Sequence, residues 1–140
     1  GKNMSFSNML EILQEKNKEH IVLIKSGIFY IATGADAVFI NKELKLKCVC
    51  FKNQVCKIGI PENRLEYYLR KLEIMEMAYI VYEFNHQKEE IIVKYKNEGK
   101  YHKEKVENKN CLICKGIRSY EEDKYLNALQ KYLKEENNNE

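Results

Sequence analysis

The sequence predicts a mixed α/β (α+β) fold, in which helices flank a mixed β-sheet and an amphipathic helix follows near the C-terminus. Strand-length apolar runs alternate along the chain with segments of helical period. Two predicted strands are joined by a short polar turn, which indicates an antiparallel hairpin within the sheet. The 140 residues, 44% of them hydrophobic, suffice for one ordinary core. We therefore expect a single domain over residues 1–140.

The N-terminal half is predicted to contain two helices and two strands. Ser5–Lys18 carries apolar residues at helical spacing after serines that can cap a helix. Ile21–Ala32 is apolar, β-branched and aromatic, which predicts one buried strand, with Gly27 as a bulge or a close backbone approach. Ala35–Leu44 follows as a short helix. Lys45–Phe51 alternates polar and apolar residues and predicts a half-buried strand.

The second half continues the alternation and ends in a polar extension. Lys52-Asn53-Gln54 is predicted to be the turn of the hairpin, and Pro61 suits the first turn of a helix. A strand is predicted at Val55–Ile60 and a helix at Pro61–Met77, followed by strands at Ala78–Phe84 and Glu90–Tyr95. A turn at Asn97–Gly99 and a C-terminal helix at Tyr120–Lys134 complete the prediction. We place the core at residues 5–96 and the extension at 97–140, with its helix at about 120–134.

Charge is unevenly distributed although the net charge is only +3. Asn41–Leu72 holds eight basic and three acidic residues, and Asn85–Arg118 holds nine basic and five acidic residues. Ser119–Glu140 has the opposite balance, with three basic and six acidic residues. Two basic stretches can form a positive face for phosphate groups, or they can be an ordinary solvated surface; composition alone leaves both interpretations open.

The sequence gives little support for a membrane protein, a disulfide-bonded protein or an enzyme. No apolar run approaches the roughly 20 residues that span a bilayer, and no signal peptide is evident, so we expect a cytoplasmic protein with reduced thiols. Cys111 and Cys114 form a lone Cys-x-x-Cys, a weak zinc candidate because a structural zinc needs four ligands. No nucleophile–base arrangement stands out. We expect neither an enzyme nor a bound metal or cofactor.

Four motifs together resemble a known family. They are Gly27-Ile28-Phe29-Tyr30-Ile31, Gly34-Ala35-Asp36-Ala37, Gly59-Ile60-Pro61 and Tyr68-Leu69-Arg70-Lys71-Leu72. In this order they resemble the N-terminal mismatch-recognition domain of the MutS mismatch-repair family, over about residues 18–84. That domain carries Gly-Asp-Phe-Tyr-Glu, then an Asp-Ala turn into a helix, then Gly-Phe/Ile-Pro and a Tyr-Leu-x-x-Leu helix. The resemblance implies a mixed sheet flanked by helices.

The resemblance also implies a binding site. Phe29 stands where the family has a wedge that stacks on a mispaired or unpaired base from the minor groove. Ile31 replaces the Glu that hydrogen-bonds this base, and Ile28 replaces an Asp, so we expect mismatch selectivity to be weakened. The candidate nucleic-acid contacts are Phe29, Tyr30, Lys25, Lys52, Lys57, Asn63 and Arg64.

Two functions from different classes follow. The first is a nucleic-acid-binding module for a DNA duplex, either mispaired, bulged or an RNA–DNA hybrid. No Gly-x-x-x-x-Gly-Lys-Ser/Thr phosphate loop occurs in these residues, so the sequence predicts a stand-alone domain or a fragment, accessory to a repair or reverse-transcriptase system. An ATPase or a reverse transcriptase would then be its protein partner. The alternative is a protein-interaction adaptor that has kept the fold and lost DNA binding.

Overall fold

The computed structural model of the chain describes residues 6–50 and 56–103, together with Tyr132. The helices are α1 (Phe6–Lys16), α2 (Gly34–Leu44) and α3 (Leu65–Ile74), and a short 3-10 turn at Glu62–Arg64 precedes α3. The strands are β1 (Ile21–Ser26), β2 (Phe29–Thr33), β3 (Val49–Cys50), β4 (Cys56–Pro61), β5 (Tyr79–Asn85) and β6 (Glu90–Lys96). The chain divides into two compact units, residues 1–32 with 60–103 and residues 33–59 with 104–140.

The first unit is organised by a mixed sheet in the order β2-β1-β5-β6. β1 pairs antiparallel with β2, and Lys25 lies opposite Tyr30. β1 also pairs parallel with β5, in the register Ile21 to Tyr79, and β5 pairs antiparallel with β6. Parallel and antiparallel pairs in one sheet, together with flanking helices, confirm the predicted α+β class.

One sheet face of this unit forms the core under α1. Alternate residues of a strand point to the same face. Apolar residues from three neighbouring strands therefore meet the buried side of α1, where Met9 and Phe29 pack at the margin. The cluster consists of Leu10, Leu13, Val22, Ile24, Ile31, Ile80 and Tyr82. This packing fixes the sheet face from which each residue of β2 can act.

The predicted strand Ile21–Ala32 is two strands rather than one. Ser26 pairs with Phe29, so Gly27 and Ile28 form a two-residue hairpin loop between β1 and β2. Gly27 has a φ of +62°, and a glycine at the first position of such a loop suits a II′ turn. The apolar run concealed the turn because Ile28 gives no polar turn signal. The prediction of a bulge or a close backbone approach at Gly27 was therefore wrong, since a Cβ on Gly27 would also have no neighbouring heavy atom within 4 Å.

Both ends of α3 differ from the prediction of a helix from Pro61 to Met77. Pro61 is the last residue of β4, with φ −55° and ψ 139°, and the 3-10 turn intervenes before the helix. At the other end Glu76 has a φ of +58°, and its N–H donates to the Glu73 carbonyl. The Met77 N–H donates to the Leu72 carbonyl, which completes a Schellman-type termination. A glycine usually signals this ending, and none is present here.

Residues 97–99 do not form the predicted turn. The side chain of Asn97 accepts a hydrogen bond from the Tyr79 N–H at 2.7 Å and donates to the Met77 carbonyl at 3.2 Å. The Lys100 N–H donates to the Glu76 carbonyl at 2.7 Å. A Cβ on Gly99 would lie 2.6 Å from that carbonyl oxygen, so the glycine permits this close approach.

The second unit contains α2 and the β3–β4 hairpin. Lys45 ends α2 in the left-handed conformation, with a φ of 61°. This ending delays the strand predicted at Lys45–Phe51, of which only Val49–Cys50 is a strand among the described residues. Val49 pairs with Lys57, which confirms a hairpin, while the predicted turn at Lys52–Gln54 lies outside the described residues.

The remaining predictions for the chain ends have different outcomes. The N-terminal helix is confirmed, as α1 at Phe6–Lys16. Of the predicted helix at 120–134, only Tyr132 is described, and it is helical. Within the described part of the chain, no helix is long and apolar enough to cross a membrane.

Tyr79 gives this fold a pH dependence at the alkaline end. Burial, followed by its hydrogen bond to Glu73 at 3.0 Å, raises the pKa of Tyr79 from 10.0 to about 12. The folded state therefore retains a proton that the unfolded state releases, so this contribution is complete below pH 10 and is lost as pH rises towards 12. In urea unfolding from pH 9 to 12, Tyr79→Phe should lose less stability than wild type. Equal slopes for the two proteins would contradict the assignment.

Candidate nucleic-acid interface

The β1–β2 hairpin presents an apolar tip. Ile28 is 63% exposed at this tip. The tip is tied to the turn before α3, because the Glu62 N–H donates to the Ile28 carbonyl at 2.8 Å. The adjoining residues Asn63 and Arg64 are also exposed. The apolar tip and these two predicted contacts therefore belong to one connected surface.

Phe29 and Ile31 lie on the α1 face of the sheet. Phe29 is half-buried and packs at the edge of the core cluster, so part of its ring remains accessible. Ile31 is only 5% exposed and is a member of that cluster. The position that carries an acidic side chain in the MutS motif is therefore an ordinary core position in this chain.

Tyr30 lies on the opposite face, as the period of a strand requires. It is only 1% exposed, so its ring has no open face for a base. Its hydroxyl donates to Glu83 Oε1 at 3.2 Å and accepts from Lys94 Nζ, also at 3.2 Å. Burial raises the pKa of Tyr30, which keeps this hydroxyl protonated. In this structure Tyr30 supports the hairpin from within the sheet, and its direct contact with nucleic acid stays a prediction.

Lys25 takes part in the same network. Its Nζ lies 3.1 Å from Glu62 and 3.7 Å from Glu83. The hydrogen bond to Glu62 raises the pKa of Lys25, so the side chain stays charged. Lys94 is likewise 3.4 Å from Glu83. Two lysines face two carboxylates, and this group of four therefore presents little net positive charge to a phosphate.

Arg64 belongs to a cationic and aromatic cluster at the start of α3. Its guanidinium lies 4.8 Å from the Tyr67 ring centroid and 5.6 Å from that of Tyr68. Lys71 Nζ lies 4.8 Å from the same Tyr67 ring, and its hydrogen bond lowers the pKa of Tyr67. Within the described residues, no carboxylate pairs with Arg64 or Lys71. This cluster therefore carries positive charge that is open to a phosphate.

A cleft of about 750 Å³ adjoins the other side of the hairpin tip. Lys25, Ser26 and Gly27 form one wall. The other walls come from the start of α1 and the β5–β6 connection, with Phe6, Met9, Phe84, Asn85 and His86. Phe84 and His86 pack edge to face, with centroids 4.8 Å apart. The cleft therefore has both apolar and polar walls next to the hairpin tip.

The other predicted site residues lie in the second unit or outside the described residues. Lys57 is partly exposed on β4 in the second unit, and Lys52, Cys111 and Cys114 lie outside the described residues. Cys48 and Cys56 are buried thiols. The described residues contain no cluster of His, Cys, Asp or Glu that could hold a metal ion.

Comparison with known protein families shows to which family the chain belongs. The family model described as MutS domain I matches residues 6–107. The chain belongs to the MutS domain I family. It is therefore a mismatch-recognition-like DNA-binding domain, as the motifs around Phe29 indicated. The comparison with curated proteins found no match.

In this MutS domain I chain, sequence reasoning did not identify the side chains that contact the predicted site residues. Glu83 and Lys94 meet Tyr30 only through the register of the four strands β2, β1, β5 and β6, which no local pattern reveals. Tyr67 and Lys71 were accessible to sequence reasoning, since residues four apart lie on one side of a helix. An aromatic residue followed by a cation at this spacing, directly after Asn63-Arg64, was the signal available.

Proposed function

We propose that this chain binds duplex DNA by placing the β1–β2 hairpin tip against a base step from the minor groove. The observation that carries the proposal is the exposed apolar tip at Ile28, held by the Glu62 hydrogen bond, in a chain of the MutS domain I family. Apolar side chains inserted at a base step exchange a few kcal/mol of unstacking for a bent duplex with more contacts. The proposed role is binding and not catalysis.

In this proposal, Ile28 and Phe29 together contact the bases. Phe29 is held against the α1 core and offers only part of its ring, which suits stacking on the edge of a displaced base. Ile28 extends further from the hairpin and would be the first side chain to reach the bases. The wedge is thus a pair of adjacent apolar residues.

Phosphate contacts are assigned to the cluster around Arg64. Arg64 and Lys71 flank the exposed Tyr67, whereas Lys25 and Lys94 already face Glu62 and Glu83. A lysine within an ion pair gains less from a phosphate because it must exchange one anion for another. The salt dependence of binding should therefore respond more to Arg64→Ala than to Lys25→Ala.

Weak mismatch selectivity is part of the proposal. A carboxylate next to a base edge discriminates among bases, because burying it is favourable only where it finds a donor. Ile31 cannot provide this and is buried in the core, and Ile28 can contact any base through its methyl groups. Perfect, mispaired and RNA–DNA hybrid duplexes should then bind with similar affinity.

Fluorescence anisotropy of labelled duplexes at low and moderate salt tests the proposal. Ile28→Asp should weaken binding by about tenfold or more, because an apolar side chain is lost from the base step and a carboxylate would have to give up its hydration there. Ile12→Asp is the matched control, because Ile12 is 53% exposed on α1 and belongs neither to the hairpin tip nor to the Arg64 cluster. Absence of binding to any duplex at low salt, or equal binding by both variants, would overturn the proposal.

An accessory role completes the proposal. These 140 residues contain no phosphate-binding loop motif, so any ATP-driven step would belong to a partner or to polypeptide beyond them. An ATPase or a reverse transcriptase would be such a partner. The adaptor alternative is favoured by the exposed apolar residues of β6 and would be supported by failure to bind any nucleic acid.

A further inference from the structure

β6 leaves an apolar edge strand exposed at the end of the sheet. It pairs with β5 along one side and is the last strand in the sheet order. Across residues 6–50 and 56–103, no strand pairs with its other side. All seven residues of β6 are exposed, including Ile91 and Ile92 at 42% each and Val93 at 53%. An edge of this kind places unpaired backbone N–H and C=O groups beside exposed apolar side chains.

The usual protection of an edge strand is confined to one end of β6. Tyr82 pairs with Val93 and Val81 with Tyr95, so Lys94 is the extra residue of a β-bulge. Bulges and edge lysines discourage strand addition. They affect the strand from Lys94 onward and leave Glu90–Val93 regular. The regular part is also the apolar part.

The faces of β6 follow from its partners on β5. Ile91 and Val93 lie opposite Phe84 and Tyr82, on the face covered by α1. Ile92 lies opposite Glu83, and Lys94 Nζ reaches the same Glu83, so both lie on the other face. Glu90, two residues before Ile92, shares that other face.

These faces permit one well-matched antiparallel pairing of β6 with itself. Directly opposed residues in a sheet share a face. A two-fold axis at Ile92 meets this condition: Glu90 opposes Lys94, Ile91 opposes Val93, and Ile92 opposes its own copy. Opposite charges then meet at both ends of an apolar centre, where each Lys94 would lie between Glu83 of its own chain and Glu90 of the other.

Neighbouring registers fit less well. An axis at Ile91 would oppose Lys88 to Lys94, two like charges, and would place Glu90 against Ile92. An axis at Val93 would oppose Glu90 to Lys96, which the bulge turns to the other face of the sheet. Complementarity of charge and face therefore selects a single register.

We propose that β6 pairs antiparallel with β6 of a second copy of this chain, forming a two-fold symmetric dimer with a sheet continuous through both copies. The occupant is a second copy because Glu90–Lys94 is complementary to itself in charge, apolar content and face. A strand from another protein would need a matching sequence, whereas a second copy always supplies it. The contact involves neither the hairpin tip nor the Arg64 cluster.

Sedimentation velocity over a concentration series tests this dimer. Wild type should move from monomer to dimer as concentration rises. Ile92→Lys places two lysines at the axis and should weaken dimerisation by about tenfold or more, while Ile74→Lys should leave it unchanged. Glu90→Lys opposes two lysines at each end and should also weaken the dimer, which provides a second variant at an exposed site.

Cross-linking tests the register. In Ile92→Cys, mild oxidation should join two chains through position 92, as identified by mass spectrometry of the linked peptide, and the same treatment of Ile74→Cys should not link position 74. A wild type that stays monomeric up to its solubility limit would overturn the proposal. So would a dimer that is insensitive to Ile92→Lys. DNA binding is measured separately, so neither outcome depends on the proposed function.

Discussion

Replacing Ile31 by Glu should unfold the first unit and should not create a mismatch reader. Ile31 is 5% exposed and is surrounded by apolar residues from α1, β1 and β5, including Leu10, Ile24 and Tyr82. A carboxylate placed there loses its hydration without gaining a cation, which costs about 4 kcal/mol or more at neutral pH. A loss of this size is comparable to the whole stability of a marginal domain.

Urea unfolding of Ile31→Glu beside Ile31→Leu measures the effect. The Leu variant conserves volume and should lose less than about 1.5 kcal/mol. The loss in the Glu variant should shrink as pH falls towards the ordinary Glu pKa of about 4.3, because the neutral acid is cheaper to bury. A folded Ile31→Glu protein with wild-type stability at neutral pH would show that this side chain can turn outward, and mismatch discrimination should then be measured directly.

Replacing Tyr30 by Ala should destabilise the protein by about 3–5 kcal/mol, as expected for removing a buried aromatic ring. The ring is 1% exposed, and its removal would also take the hydroxyl away from Glu83 and Lys94. Tyr30→Phe keeps the ring and leaves Lys94 paired with Glu83 at 3.4 Å, so it should cost only about 1 kcal/mol.

The two Tyr30 variants also distinguish a structural role of Tyr30 from direct contact with DNA. Because the hydroxyl faces Glu83 and Lys94, Tyr30→Phe should bind duplex DNA within about twofold of wild type, a difference of about 0.4 kcal/mol. Thermal unfolding and anisotropy on the same samples provide both measurements. A large loss of DNA affinity in Tyr30→Phe, without loss of stability, would return Tyr30 to the interface.

How far the sequence predicts the fold depends on the range of the interactions. The helix at Phe6–Lys16 and the strand at Cys56–Pro61 follow from local periodicity and were predicted closely. The break at Gly27–Ile28 was missed because the residues on both sides are equally apolar. The end of α3 at Glu76 was missed because a non-glycine residue adopts the left-handed conformation there.

In the candidate site, too, features set by local sequence could be predicted, whereas contacts between distant parts of the chain could not. Family motifs located Phe29 and Arg64, and the alternation of side chains along a strand accounts for Phe29 and Tyr30 facing opposite sides of the sheet. The ion pairs of Lys25 could not be predicted, since Glu62 and Glu83 lie far along the chain and meet it only after the strands align. A count of basic residues therefore overestimated the charge available for phosphate.

The hydrogen bond from Glu62 to the Ile28 carbonyl has a consequence for the kinetics of recognition. A tethered two-residue loop has few alternative conformations to lose when it meets a ligand, so the tip is preorganised. Association should then proceed without a slow ordering step, and the loss of affinity in tip variants such as Ile28→Asp should appear mainly as faster dissociation. The duplex, which must unstack and bend, would be the component that changes shape.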